Sequence, residues 1–224
     1  MKRINITSFM TYILGLITLA AGTAFMEKAD FGMSMVVAPS YLVYLKLSAI
    51  FPMFTFGMAE YLTQAVLLVA MMVVLRSIRV KYLFAFVTTV LYGFLLDTAM
   101  ALVGLIPSED MVCRGVLFAA GMLVCASGVA LLFRTNLPPE VYELFVKEIS
   151  AKYGFRVSRC KTIYDITSCL IAVVLSFAFF GFGHFEGVKA GTIICALVNG
   201  TLIGVCIKAM DKIENLMCAC KKAI

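Results

Sequence analysis

The sequence predicts an all-α polytopic membrane protein with six transmembrane helices, built as two inverted three-helix repeats. Three observations carry this expectation. First, the 224 residues are 62% hydrophobic and 14% charged, with a mean hydropathy of +1.01, against roughly 45–50% apolar residues in soluble domains. Second, six stretches reach the roughly 20 apolar residues that a span requires: about Ser8 to Met26, Phe56 to Leu75, Tyr82 to Ile106, Met111 to Phe133, Thr162 to Phe182 and Val188 to Ala209. Third, the stretch from Gly22 to Phe31 recurs in chemistry from Gly128 to Leu137. Gly22 answers Gly128, Ala24 answers Ala130, Lys28 answers Arg134 and Asp30 answers Asn136, all at an offset of 106 residues (22 to 128, 30 to 136).

Two later landmarks keep that offset within one residue. Glu60 and Thr63 match Asp165 and Ser168, and Gly93, Leu95 and Leu96 match Gly200, Leu202 and Ile203. The runs are read as helices because a continuous apolar segment satisfies its backbone in lipid only that way. Three spans per half is an odd number, so the second half enters from the opposite side. The whole chain is then one integral membrane domain, with repeat 1 at 1–107, repeat 2 at 108–211 and a cytoplasmic tail at 212–224. The first span follows Lys2 and Arg3 and precedes the small residues Ala20, Ala21, Gly22 and Ala24, as in a cleaved signal peptide. Its length, and its duplicate in mid-chain, favour a retained helix.

Each half has a further element after its first span. In the second half, Asn136-Leu137-Pro138-Pro139-Glu140 supplies a cap, two prolines suited to a first turn and an early acid that favours the positive helix end. Val141, Leu144, Phe145 and Ile149 follow at helical spacing, which predicts a short amphipathic helix at the inner surface. Its counterpart at 32–51 is more apolar and broken by Pro39 and Pro52, so it is either interfacial or re-entrant.

Loops facing the cytoplasm collect Lys and Arg. Placing the N-terminus inside leaves only Lys28, Lys46, Arg114 and Lys189 outside, with every other one of the 19 basic residues inside. Both termini are then cytoplasmic, and the net charge of +6 is this bias rather than a nucleic-acid footprint.

Intramembrane ionisable residues are rare because each costs roughly 2.5–3.5 kcal/mol at mid-bilayer on insertion scales. Asp97 is the deepest, about two turns below the outer end of the third span; Glu60 and Asp165 lie about one turn inside opposite faces. The functional reading is a proton or cation site, or a contact for a polar substrate. The structural reading is an ion pair or hydrogen bond that locks helices, with Gln64 one turn from Glu60 and Lys161 one turn from Asp165. Asn199, near the middle of the sixth span, is a cross-helix hydrogen bond or a pocket contact. Asp30 and Asn136, at equivalent repeat turns, either line entrances or cap the following elements.

Small-residue patterns at Gly200-x-x-x-Gly204 and Ala20-x-x-x-Ala24 suit close helix approach, within the monomer, in a homodimer or against a partner membrane subunit. Cys125, Cys169, Cys195 and Cys206 read as apolar packers. Cys218-x-Cys220 in the tail is an unconvincing ligand pair, so no metal or cofactor is expected. His184, with Glu186 nearby, lies in a glycine-rich outer loop, and nothing matches a zinc protease motif, a nucleophile elbow or a phosphate loop; an enzyme is not expected.

The strings Gly22-x-Ala24, Ala29-Asp30-Phe31-Gly32, Phe54-Thr55-Phe56-Gly57 and Ala190-Gly191-Thr192 to Gly200 resemble the YczE/YitT-like bacterial membrane proteins. That resemblance implies a small six-span protein of a bacterial inner membrane, in a family whose function is largely uncharacterised. The chain departs from it where members often place Pro and an acid after the first-half turn: Met33, Ser34 and Met35 stand there, and Pro39 arrives late. Three functional classes remain: a secondary transporter for a small solute or ion with its site between the halves, a substrate-binding or accessory subunit docking a partner through Ala20-x-x-x-Ala24, and a membrane scaffold or regulator.

Overall fold

The computed structural model describes residues 6–107, 110–135, 137–155, 157–182 and 189–222. These form helices α1 (Ile6–Ala29), α2 (Ala38–Ser48), α3 (Phe56–Leu75), α4 (Val80–Gly104), α5 (Met111–Arg134), α6 (Val141–Tyr153), α7 (Val157–Phe180) and α8 (Ala190–Lys222). Six of them are long and apolar enough to cross a membrane: α1, α3, α4, α5, α7 and α8. All six coincide with the runs read from sequence, because a stretch of that length has no other way to satisfy its backbone in hydrocarbon. The fold is all-α.

Local chemistry sets the helix ends. Thr55 caps α3, its side chain accepting the Met58 N–H at 3.2 Å. Left-handed residues end α1 at Asp30 (φ 54°), α3 at Arg76 (φ 47°) and α6 at Gly154 (φ 69°).

The frame is the α1–α5 pair. A methyl group on Gly22 would lie 2.5 Å from the Cys125 nitrogen and 2.8 Å from the Gly121 oxygen, and one on Gly128 would lie 2.7 Å from the Leu19 nitrogen and 2.9 Å from the Gly15 oxygen. The two backbones therefore touch, as small residues allow inside membranes. Around this pair α1 packs on α4 and α5 on α8, while α3 packs on α4 and α7 on α8. Ala20 and Ala24 are 1% exposed, so the Ala20-x-x-x-Ala24 face is consumed inside the monomer. Of the three uses the sequence left open, packing within the monomer is the one found, and this face offers no docking surface to a partner.

The short helices correct an expectation. With 11 and 13 residues, α2 and α6 are roughly 16 and 20 Å long, too short for a hydrocarbon core of about 30 Å. α6 does not lie along a surface. Its first N–H, on Val141, donates to Gln64 Oε1 (3.1 Å) midway along α3, and the Pro138 carbonyl accepts from Thr88 in α4 (3.2 Å). At its far end Lys152 donates to the Val74 carbonyl (2.9 Å), and Glu148 pairs with Arg79 and Lys81 at the α3–α4 turn.

The chain thus leaves the end of α5, climbs to mid-span, and returns along α6 to the face it came from. α2 does the same from the other face. Met35 accepts from Ser168 midway along α7 (2.8 Å), while Lys46 donates to the Phe179 carbonyl at the end of α7 (3.1 Å). Both are re-entrant half-helices, which decides the question left open for 32–51. The amphipathic pattern of α6 arises from two protein surroundings, its first turns buried against α3 and α7 and its last turns beside the charged α3–α4 turn.

Gly22→Val should lower stability by about 1–3 kcal/mol through overpacking. Gly200→Ala, where an added methyl meets nothing within 4 Å, should change it by no more than about 0.5 kcal/mol. Thermal unfolding of detergent-solubilised protein checks both.

Candidate functional site

The two half-helices meet in the interior, where Ser40 Oγ of α2 lies 2.9 Å from the Tyr142 hydroxyl of α6. Glu60 and Gln64 of α3, both wholly buried, face this junction, and Glu140, 4% exposed, turns toward them from the start of α6. Gln64 organises the group. Its oxygen accepts from the Thr89 hydroxyl (2.6 Å) and from the Val141 N–H (3.1 Å). That leaves Nε2 to donate to Glu60 Oε2 (3.0 Å) and Glu140 Oε2 (3.4 Å). Tyr142 also donates to Glu60 Oε2 (3.0 Å). Since Tyr142 has one hydroxyl proton and gives it to Glu60, Ser40 is the donor in the Ser40–Tyr142 bond.

Four carboxyl oxygens are buried with no hydrogen-bond partner among the described residues: Glu60 Oε1 and Glu140 Oε1 here, and Glu143 Oε2 and Asp165 Oδ1 nearby. The Glu140 carboxyl is buried and has the Glu60 and Glu143 carboxylates nearby, so it faces like charge. The positive ends of α2 and α6 both point into this region, which favours negative charge there by a few tenths to about 1 kcal/mol per helix.

Beside the junction a cavity of about 600 Å³ lies between α3 and α7, whose backbones stay apart among the described residues. Val66, Ile163 and Ile171 form part of its largely apolar wall, and Thr63, Tyr142, Tyr164, Thr167 and Ser168 are the hydroxyl-bearing residues among those lining it. Tyr142 belongs to both places: its ring lines the cavity and its hydroxyl reaches Glu60.

A second acid cluster has a cation. Lys161 Nζ lies 2.9 Å from Glu143 Oε1 and 3.5 Å from Asp165 Oδ1. Among the sequence-chosen residues, Glu60 and Gln64 therefore share one site, and Asp165 sits in a separate lysine-paired cluster. Asp97 joins neither: its Oδ1 accepts the Gly57 N–H at 2.8 Å and anchors the first turn of α3. Asn199 is half-buried on α8. Asp30 does not cap α2, whose N-cap is Val37. Its carboxylate instead pairs with Arg114 (3.0 Å) and Lys189 (2.5 Å), tying the turn after α1 to α5 and to the start of α8. Asn136, His184 and Glu186 lie outside the described residues. No group of three or more metal-ligating side chains occurs among the described residues.

Sequence reasoning missed Glu140, Tyr142, Ser40 and Thr89. For Glu140 the signal was present: an acid placed directly before four residues of which three, Val141, Tyr142 and Leu144, are apolar does not suit a water-facing first turn. Asp97→Ala should cost about 1–2 kcal/mol by releasing the α3 N-terminus, and Asp97→Asn, which keeps an acceptor, should recover most of that in the same unfolding assay.

No curated protein and no solved structure matches the chain significantly. A family model does, over residues 6–208. That match does not turn the resemblance to the YczE/YitT-like proteins into membership. Since it covers nearly the whole chain, this protein belongs to DUF6198, a family of unknown function.

Proposed function

We propose that this protein is a secondary transporter for a small solute, working by alternating access between two inverted repeats. The observation that carries this reading is the meeting of two opposed half-helices beside a buried acidic pair. Broken helices whose ends meet near mid-membrane, at the boundary between repeats, are a recurring way to build a transport site.

The helix packing supports the inverted arrangement. At the 106-residue offset Gly15 answers Gly121 and Gly22 answers Gly128, so the contact of Gly22 with Gly121 is exchanged with that of Gly128 with Gly15. Reciprocity of this kind is expected at a two-fold axis. Other pairings exchange too: α1–α4 with α5–α8, α3–α4 with α7–α8, α2–α3 with α6–α7, and α2–α7 with α6–α3, while α4–α6 has no α2–α8 counterpart among the described residues. The cavity between α3 and α7 gives one repeat room to rock against the other. The lysine and arginine bias supports an orientation in a bacterial inner membrane with both termini cytoplasmic.

Accessibility of the junction tests the mechanism without knowing the solute. A Ser40→Cys protein in sealed, oriented vesicles is treated with a membrane-impermeant maleimide from each side in turn, with the unmodified chain as background. Labelling at position 40 from both sides is the expected result. Labelling from one side only would favour a substrate-binding subunit with a fixed entrance, and labelling from neither would defeat the transporter reading.

A further inference from the structure

We propose that Glu60 and Glu140 form a proton-binding site that holds one exchangeable proton between them, reached from the α3–α7 cavity through the Tyr142 hydroxyl. Its meaning for transport rests on the transporter reading above; the site itself rests on geometry.

The donors around the pair can be counted. Gln64 has two N–H groups, and both are used, one on each carboxyl. Tyr142 has one O–H, also used on Glu60, and the Ser40 hydroxyl is engaged by Tyr142. Nothing among the described residues is left for Glu60 Oε1 or Glu140 Oε1. Two negative charges with no cation beside them, in a site this dry, are far costlier than one, because burying an unpaired ionised carboxylate forfeits its hydration. A proton on either carboxyl removes one charge and converts an orphaned acceptor into a donor.

The neighbouring cluster shows the alternative within the same molecule. There Glu143 and Asp165, each 8% exposed, also keep an oxygen that no hydrogen bond reaches, but Lys161 lies between them as a cation. The Glu60–Glu140 pair has Gln64 in the corresponding role, and Gln64 brings no charge.

The orientation of Gln64 also separates a proton from a metal ion. Its oxygen is engaged by Thr89 and Val141, so it shows N–H groups to the carboxyls. Those N–H dipoles repel a metal ion and accept a protonated or singly charged pair. The route is equally specific. A proton delivered by water in the cavity passes to the Tyr142 oxygen as the existing Tyr142 proton moves to Glu60; the pair goes from two negative charges to one and Tyr142 ends neutral.

The other titratable groups facing the pair are Glu143 and Tyr142 on α6, Lys161 and Tyr164 on α7, Tyr92 on α4 and Tyr12 on α1. Lys161 is held by its own two acids, and the tyrosines are neutral at ordinary pH. Glu143 adds repulsion, which favours the protonated pair.

Infrared difference spectroscopy on purified full-length protein in lipid nanodiscs reads the site directly. A protonated-carboxyl C=O band should be present at neutral pH, shift in deuterium oxide, and vanish as the pH is raised. In Glu60→Gln and in Glu140→Gln the remaining acid no longer faces a like charge, so the midpoint should fall by at least about one pH unit. Two independent variants, each checked for a single elution peak, guard against one that fails to fold. A wild-type protein without the band at neutral pH, or a midpoint unmoved in both variants, overturns the proposal. A midpoint that moves when sodium chloride replaces choline chloride also overturns it, in favour of a metal cation. The readout needs no transport, so its failure and a failure at Ser40 are distinguishable.

Discussion

A helix that begins in the middle of a membrane leaves its first N–H groups without intrahelical partners, and hydrocarbon supplies none. Much of this molecule follows from meeting that demand twice. At α6 the prolines at 138 and 139 remove two donors just before the helix, and Gln64 accepts the Val141 N–H. At α2 the Ser34 carbonyl accepts from both Val37 and Ala38, and Pro39 has no N–H to satisfy. Because Gln64 gives its oxygen to α6, its nitrogen must face acceptors, and the acceptors present are Glu60 and Glu140. The end of the half-helix and the acidic pair are therefore one construction.

The α1–α5 contact makes that construction possible. Backbone-to-backbone approach at Gly22, Gly121, Gly128 and Gly15 sets the two longest-packed helices close together. α3 and α7 are held apart, and the half-helices fill the space between them. Tyr92 and Tyr12 bridge the two regions: Tyr92 reaches Thr23 on α1 at 3.0 Å, and Tyr12 reaches Thr88, which in turn holds the Pro138 carbonyl. Side chains on α1 and α4 thereby fix the depth of the turn that starts α6. At the opposite end of the bundle Asp30 performs a similar service for the chain entering α2, through Arg114 and Lys189.

The division of labour among the acids is also physical. Asp97 has a helix N-terminus to bind, Asp165 and Glu143 have a lysine, and Asp30 has two cations at the surface. Glu60 and Glu140 have only neutral donors. Depth in the membrane, which singled out Asp97 in the sequence, is a poorer guide to chemistry than what faces the carboxylate. Asp97 was the deepest candidate in its span and proves to be anchored by one backbone N–H of the adjacent helix.

The six spans and their order were legible in the sequence because they depend on the hydrophobicity of contiguous residues. Glu60 and Gln64 were legible as a pair because they stand one turn apart on one helix. The partners Glu140 and Tyr142, some 80 positions along the chain, were not, nor was the re-entrant course of α2 and α6. A helix with an apolar start and a charged end reads the same whether it lies on a surface or plunges from mid-membrane to the edge; only the groups that meet its first turn distinguish the two. By itself the sequence determined the solvent and the spans, since these are properties of segments. The tertiary structure alone decided where the half-helices begin and which acids lack a cation, because those are properties of contacts between segments far apart in the chain.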